Sequence, residues 1–193
     1  MTNITSVAVF CGASLGVSPA FQEAADALGR GIARAGWALI YGGGQLGLMG
    51  VVANGALAAG GRVVGVIPDF LRRQEVTHPG ITELLVTDSM HSRKTGVFER
   101  ADAFVTLPGG LGTLDETIEI ITWRQLRLHD KPILLCDVMG SSAPLVAAIE
   151  AAIALGFARA EVRHLFEVHE GVAAVLDRLA ALPARPGGAA ERL

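Results

Sequence analysis

The sequence has little of what several specialised classes of protein require. It contains only two cysteines, Cys11 and Cys136, and no CxxC motif or Cys/His ligand spacing, which argues against a disulfide framework and a structural zinc site. Its formal net charge is −3, so no excess of positive charge favours binding to nucleic acid or to an anionic membrane. No uninterrupted apolar run reaches the ~18 residues of a membrane-spanning helix. We therefore expect no metal, no organic cofactor, no nucleic-acid partner and no membrane contact.

The composition that remains is that of a globular protein. Hydrophobic residues make up 51% of the 193 residues and charged residues 18%. This length predicts one domain, which buries roughly 70% of the surface of the unfolded chain. We expect a single nucleotide-binding domain over 1–182 and a mobile tail over 183–193. Because no basic segment precedes the first apolar run, we interpret that run as a strand and not a signal peptide. Both cysteines are interpreted as buried free thiols of a cytoplasmic protein.

Short apolar runs alternate along the chain with segments of helical periodicity. Most of the short runs are apolar on both faces, which is typical of parallel strands covered by helices on both sides. The predicted strands are 6–11, 38–41, 63–67, 83–86, 103–107, 133–136 and 166–168. The predicted helices are 19–35, 48–59, 89–101, 113–129, 143–155 and 171–182. This alternation predicts a doubly wound, Rossmann-like α/β fold with a mostly parallel sheet of about seven strands and helices on both faces.

Folds of this class bind ligands beyond the carboxyl ends of their strands, so we expect binding residues in the loops that follow strands. The first loop, 11–16, offers small residues and the Ser14 hydroxyl, which could donate to a phosphate; the alternative is a plain turn. The second loop, 42–50, matches GxGxxG between a predicted strand and a predicted helix. Asp69 follows 22 residues after Gly47, which would suggest NAD, but the pattern is weak in a chain with 24 glycines.

The loop that follows the fifth predicted strand combines glycines with acids. Gly109, Gly110 and Gly112 permit unusual backbone angles and leave main-chain N–H groups open to an anion. Thr113 is expected to begin the next helix. Thr113-x-x-Glu116 also matches a capping box, in which both residues would serve only the helix end. The residues alone leave the capping and ligand-binding interpretations open.

A fourth loop places two cations, Arg93 and Lys94, near the start of a predicted helix. Positive charge is unfavourable there because the amino end of a helix is itself partly positive. A nearby anion, either a ligand or a carboxylate, would relieve this. Arg93 in particular could bind a carboxylate or a phosphate through two parallel hydrogen bonds. The alternative is that both are exposed surface charges.

Taken together, these motifs resemble the Lonely Guy family, whose members are cytokinin riboside 5'-monophosphate phosphoribohydrolases. The resemblance covers about residues 5–180 and is more specific than any single glycine loop. The label "lysine decarboxylase" that such sequences also carry fits poorly, because the chain has only two lysines, Lys94 and Lys131, and no clear Schiff-base context. The motifs that carry the resemblance are Pro108-Gly109-Gly110-x-Gly112-Thr113-x-x-Glu116, Met90-His91-x-Arg93-Lys94, Phe10-Cys11-Gly12-Ala13-Ser14, Tyr41-Gly42-Gly43-Gly44, Gly47-Leu48-Met49-Gly50 and Ile121-Thr122-Trp123.

The resemblance implies hydrolysis of the N-glycosidic bond of N6-modified AMP, and of AMP, to free base and ribose 5-phosphate. It implies Arg93 and Glu116 as the catalytic pair, and a homodimer. The resemblance and the loop analysis give the expected substrate-binding residues as Ser14, Gly43, Met90, Arg93, Lys94, Gly109, Gly110, Gly112, Thr113 and Glu119. A nucleoside-monophosphate-binding protein without significant turnover remains an alternative, and an NAD-dependent enzyme is a weaker one.

The proposed chemistry agrees with the residue types. Breaking an N-glycosidic bond develops positive charge on the ribose, as in the oxocarbenium-like transition states of glycoside hydrolysis. A carboxylate beside the sugar stabilises that charge and can orient or deprotonate water. A phosphate held by glycine amides at a helix start, with an acid about one turn further on, separates the two negative groups by roughly 5 Å along the helix axis.

Overall fold

The structure is a computed structural model and describes residues 4–73 and 76–182. The tail predicted over 183–193 lies outside the described residues. Within the described ranges, seven parallel strands form one sheet in the order β4-β3-β2-β1-β5-β6-β7. The strands are β1 Ser6–Phe10, β2 Ala38–Tyr41, β3 Val63–Pro68, β4 Glu83–Thr87, β5 Ala103–Thr106, β6 Ile133–Asp137 and β7 Glu167–Glu170. The helices are α1 Pro19–Arg34, α2 Gly47–Ala58, α3 Asp69–Arg72, α4 Met90–Arg100, α5 Leu111–Gln125, α6 Ala143–Ala154 and α7 Gly171–Ala180, with a 3₁₀ helix at Ala160–His164.

Helices cover both faces of this sheet, which confirms the predicted doubly wound α/β fold. Alternate residues of a strand point to opposite faces, so Val7 and Val9 join one buried cluster while Ala8 and Phe10 join the other. The first cluster packs β1 against α1, α2 and α7, and the second packs it against α4, α5 and α6. Burial on both sides explains why the central strands are mainly apolar, with Ser6 in β1 and Thr106 in β5 as polar exceptions.

The predicted boundaries agree with the structure closely for the strands and less closely for the helices. The largest difference is at α5, which begins at Leu111 instead of Thr113 and ends at Gln125 instead of His129. Arg127, just beyond the helix, has a φ of 61°, which a continuing α-helix cannot accommodate. The short helices α3 and Ala160–His164 were not predicted, because four or five residues are too few to show helical periodicity.

The strand order determines where the site lies. The sheet winds in one direction from β1 through β2 to β4 and in the other from β5 to β7, so the winding reverses between β1 and β5. Loops on the two sides of such a switch point leave a crevice at the carboxyl ends of the strands. Main-chain hydrogen bonds tie these loops together: Gly12 N donates to Pro108 O at 3.0 Å and Leu48 N donates to Gly12 O at 3.0 Å.

In the described part of the chain, the helices are all too short or too polar to cross a lipid bilayer.

Candidate active site

A cleft of about 780 Å³ lies at the switch point, and its walls come from all four loops that the sequence singled out. Gly12 and Ser14 follow β1, Gly42 follows β2, and residues 108–113 follow β5. Met90, Arg93 and Glu116 complete the wall from α4 and α5. Volumes of this size hold small molecules of about the size of a nucleotide.

The start of α5 is built to leave main-chain N–H groups open. Gly110 is its N-cap residue, in an extended conformation, and within the described residues no side chain caps the helix and no acid lies in its first turn. A methyl group at Gly110 or Gly112 would meet no described atom within 4 Å, so both positions face open space. A methyl at Gly109, by contrast, would lie 2.0 Å from Thr113 Oγ1 and 2.8 Å from Gly12 N. Gly109 therefore makes the turn compact, while the next glycines keep it accessible.

The capping box considered for Thr113 and Glu116 does not form. Thr113 is the third residue of α5 and is buried, and Glu116 lies more than one turn inside the helix. A capping box is present at α4 instead, where Ser92 N donates to Ser89 Oγ and Ser89 N donates to Ser92 Oγ, each at 3.1 Å. The Glu116 side chain is therefore not engaged in helix capping.

Arg93 and Glu116 form an ion pair on the cleft wall. Arg93 Nη2 lies 3.1 Å from Glu116 Oε1, and the two side chains are 14% and 15% exposed. Arg93 Nε also donates to the carbonyl oxygen of Val66, the fourth residue of β3, at 3.2 Å. The structure thus brings together the two residues that the resemblance named as the catalytic pair, although 23 positions separate them in the chain.

The environment of Glu116 changes its acidity. Burial raises the pKa of Glu116 above the ordinary glutamate value, although the Arg93 guanidinium opposes the shift. The negative charge of Asp115 also raises this pKa, and the positive charge of Lys94 lowers it. A carboxylate with a raised pKa is a better proton acceptor near neutral pH than an exposed one.

Lys94 has a different environment from Arg93, its neighbour in the chain. Its Nζ lies 2.8 Å from Asp115 Oδ2 and 3.2 Å from Glu119 Oε2. Burial opposes the change, but the hydrogen bonds to these two acids raise the pKa of Lys94. Neither Lys94 nor Glu119 is among the described residues that line the cleft. Carboxylates from α5 are therefore the anions that compensate both cations near the start of α4.

The remaining expected residues divide between the cleft and its support. Ser14 and Met90 line the cleft, and Met90 Sδ lies 4.0 Å from Arg93 Nη1. Gly43, with a φ of 79°, lies behind the cleft wall, where its carbonyl oxygen accepts from His78 N at 3.0 Å. At this loop the cleft is lined by Gly42, Leu48 and Met49, of which none was among the expected binding residues.

The glycines of the GxGxxG match have structural partners. A methyl group at Gly47 would lie 2.1 Å from the carbonyl carbon of Ala13, so this glycine allows the second loop to pack against the first. The Asp69 carboxylate, which an NAD interpretation would place on a ribose, accepts hydrogen bonds from Arg72 and Arg73. The contact at Gly47 therefore gives the GxGxxG match a role in loop packing, and Asp69 is already paired with arginines.

Cys11 also lines the cleft, but its chemistry is that of a buried thiol. Burial, reinforced by the negative charge of Glu116, raises the pKa of Cys11 far above its ordinary value. The thiolate is the nucleophilic form of cysteine, so Cys11 is not an activated nucleophile. The two lysines do not line the cleft: Lys94 is ion-paired, and Lys131 Nζ donates to Phe98 O and lies 3.9 Å from the centre of the Phe98 ring.

Comparison with solved structures identifies the fold. The molybdenum cofactor binding protein from Rippkaea orientalis superposes with a TM-score of 0.71 at 21% identity, over 94% of this chain and 98% of that one. The molybdenum cofactor carrier protein from Chlamydomonas reinhardtii superposes with a TM-score of 0.70 at 22% identity, over 93% of this chain and 100% of that one. At such low identity, these similarities establish the α/β architecture only.

Sequence comparison identifies the family. Residues 49–179 match the family model described as "Possible lysine decarboxylase". The cytokinin riboside 5'-monophosphate phosphoribohydrolase of Rhodococcoides fascians is 48% identical over 153 residues, which cover 79% of this chain and 77% of that protein. A probable cytokinin riboside 5'-monophosphate phosphoribohydrolase of Oryza sativa subsp. japonica is 46% identical over 83% of this chain and 70% of its own length. The chain therefore belongs to the Lonely Guy family, whose curated members carry the phosphoribohydrolase name.

Proposed function

We propose that this protein is a hydrolase that cleaves the N-glycosidic bond of cytokinin riboside 5'-monophosphates. Its substrates are N6-modified AMP and AMP, and its products are the free base and ribose 5-phosphate. The observation that carries this proposal is the Arg93–Glu116 ion pair, which lies on the wall of a nucleotide-sized cleft beside the uncapped start of α5. The names of the relatives at 48% and 46% identity support the same activity.

The 5'-phosphate binds at the start of α5. Main-chain N–H groups at the amino end of a helix attract anions because they lack partners within the helix and because the helix dipole is positive there. The open space at Gly110 and Gly112 allows a phosphoryl group to approach these N–H groups closely. Thr113, at the third position of the helix, and Ser14 line the cleft and carry hydroxyl groups that can donate to the phosphate.

Glu116 acts on the ribose and not on the phosphate. It lies five residues after Leu111, which places it about 7.5 Å further along the helix axis. As the bond from C1' to the base breaks, positive charge grows on the ribose and the Glu116 carboxylate stabilises it. The electron pair of that bond leaves with the base, which takes up a proton from solvent. A water oxygen bonds to C1', and Glu116 accepts the proton that this water loses and afterwards releases it to solvent.

Arg93 controls the catalytic carboxylate. Its guanidinium is anchored on the carbonyl oxygen of Val66 and reaches Glu116 with a second nitrogen, so it fixes the position of the carboxylate. Its charge also favours the ionised form of Glu116 against the effect of burial. A carboxylate that must accept a proton benefits from both effects. Burial raises its affinity for the proton, and Arg93 favours the ionised form that can accept it.

We propose that the protein is a homodimer in which the exposed face of α5 is covered by a second copy. Leu111, Leu114 and Ile118 are 86%, 37% and 49% exposed, and their spacing places them on one side of the helix. Exposed apolar side chains grouped in this way are typical of subunit interfaces. The buried free thiols Cys11 and Cys136 fit a reducing compartment such as the cytoplasm.

The substrate assignment is tested by comparing N6-isopentenyladenosine 5'-monophosphate with the corresponding riboside. Purified protein is incubated with each compound, and the free base is measured by chromatography. We expect base release from the monophosphate and very little from the riboside, because only the monophosphate engages the start of α5. Equal release from both would refute the phosphate subsite. Tight binding of monophosphates without base release would instead establish the alternative of a nucleotide-binding protein.

A further inference from the structure

Gly42, the first residue after β2, lies directly beneath the guanidinium of Arg93. A methyl group added at Gly42 would lie 2.6 Å from Arg93 Nη2 and 3.2 Å from Met49 Sδ. Contacts shorter than 3.0 Å are essentially absent between real Cβ atoms and their neighbours, so one of the two groups would have to move. The nitrogen concerned is the same Nη2 that contacts Glu116. The space that Gly42 leaves therefore borders the Arg93 nitrogen that holds Glu116, and also the Met49 sulfur.

We propose that Gly42 is a positioning residue of the reaction, which acts by leaving room for the Arg93 guanidinium to hold Glu116. This inference rests on the proposed function for its kinetic consequences. It assigns to Gly42 a role that differs from that of a phosphate-binding glycine. Glycine is needed at position 42 because a side chain there would collide with Arg93, and not because the main chain adopts an unusual conformation.

The backbone conformation supports this distinction. Among the described glycines, Gly43 and Gly47 have φ values of 79° and 63°, a region that disfavours other residues, whereas Gly42 is outside that region. Alanine at Gly42 is therefore compatible with the main chain. Tyr41, the preceding residue, is 1% exposed within β2, which pairs with β1 and β3, so the strand end is held firmly.

The group that moves in response to a methyl at Gly42 is the guanidinium. It is the end of a flexible side chain, whereas Gly42 belongs to a main chain that is fixed by the sheet. Movement of Nη2 lengthens the contact with Glu116 and weakens the anchor on Val66 O. The fold is thereby retained while the catalytic pair is separated. A displacement of about 1 Å in an active site can reduce the rate about 100-fold.

The protonation of Glu116 offers a second readout. The charged or titratable groups that act on it are Arg93 and Lys94 from α4, Asp115 and Glu119 from α5, and the Cys11 thiol at the end of β1. Of these groups, only Arg93 contacts the position that a methyl at Gly42 would occupy. Displacement of the Arg93 guanidinium weakens the effect of a positive charge that lowers the pKa of Glu116, so this pKa rises in the variant.

The test uses Gly42→Ala, with Gly96→Ala as the matched control. Gly96 lies in α4, one turn after Arg93, and a methyl there would meet Val66 Cγ1 at an ordinary 3.4 Å. We expect Gly42→Ala to unfold at nearly the wild-type temperature, to release base about 100-fold more slowly from an N6-modified monophosphate, and to lose activity at a higher pH on the acid side. Gly96→Ala should retain wild-type rate and pH dependence.

A double-mutant cycle separates this role from a general disturbance of the loop. If Gly42 acts through Arg93, Gly42→Ala should cause little further loss in an Arg93→Ala background. An equally large loss in that background, or wild-type turnover by Gly42→Ala, would overturn the inference. Titration of the Glu116 carboxyl by ¹³C NMR requires no turnover, and an unchanged pKa in Gly42→Ala would also overturn it. Failure of the wild-type protein to release base would instead count against the proposed function.

Discussion

Two adjacent cations on α4 meet acids of the same helix, α5, but they serve different purposes. Arg93 pairs with Glu116 on the wall of the cleft, whereas Lys94 pairs with Asp115 and Glu119 away from it. Glu116 is 15% exposed and Asp115 is 59% exposed, although they are neighbours in the chain. Burial and position, and not the kind of charge, distinguish the carboxylate that we propose to be reactive from its exposed neighbour.

The physical basis of the difference is the cost of removing charge from water. Asp115 is mostly exposed, so solvent screens its interaction with Lys94 and this ion pair contributes little to stability. Burial of Glu116 raises its pKa, and the anchored Arg93 guanidinium opposes this shift and favours the ionised form. The two pairs therefore predict different responses to substitution.

The largest expected difference is between Arg93→Ala and Lys94→Ala. Removal of Arg93 leaves Glu116 buried without its partner, and we expect kcat/KM for an N6-modified monophosphate to fall by about 10³-fold. Removal of Lys94 should reduce it by about tenfold or less, because Lys94 does not line the cleft. Initial rates of base release at a fixed pH measure both. Equal losses in the two variants would show that the two pairs are not functionally distinct.

The acid side of the pH profile should respond in opposite directions to two substitutions. The active form of Glu116 is the carboxylate, so activity is lost as pH falls through its raised pKa. Lys94→Ala removes a positive charge that lowers this pKa, so the loss should begin at a higher pH. Asp115→Asn removes a negative charge that raises it, so the loss should begin at a lower pH. Profiles of kcat/KM against pH that shift in the same direction would contradict this electrostatic account.

The smallest expected effect is that of Asp115→Asn on stability and on the rate at neutral pH. Asp115 is 59% exposed, and its partner Lys94 retains Glu119. We expect the free energy of unfolding to change by about 0.5 kcal/mol or less, and the rate to stay within about twofold. Denaturant unfolding and base release provide the two measurements. A large loss of activity would place Asp115 in the catalytic machinery.

The sequence predicts the sheet well and the start of α5 less well, for a physical reason. Strands buried on both faces are mainly apolar on both faces, and this pattern is visible without a structure. The start of α5 shows no such signal, because Gly110 caps the helix without a side-chain hydrogen bond while Thr113-x-x-Glu116 imitates a capping box that does not form. A local motif indicates only the capping that a segment can form by itself. Here the loop that follows β1 packs against Gly109, and this tertiary contact is not visible in the motif.

The candidate site is predictable in its residues but not in all of their partners. The motifs around Arg93 and Glu116 mark both residues, and the strand order brings them together. The ion pairs of Lys94 with Asp115 and Glu119 could not be predicted, because the sequence does not indicate which of two adjacent cations lines the cleft. The contact of Gly42 with Arg93 joins positions 51 residues apart, and only the packing of the β2 loop beneath α4 reveals it.

The most direct test of the account is the single-turnover rate of base release by Glu116→Gln. Glutamine keeps the size of the side chain but carries no negative charge and cannot accept the proton of water. With N6-isopentenyladenosine 5'-monophosphate, we predict a rate about 10²- to 10⁴-fold below that of the wild type, while AMP binding measured by calorimetry changes only a few-fold. Base release at the wild-type rate would contradict the assignment of Glu116 as the catalytic carboxylate.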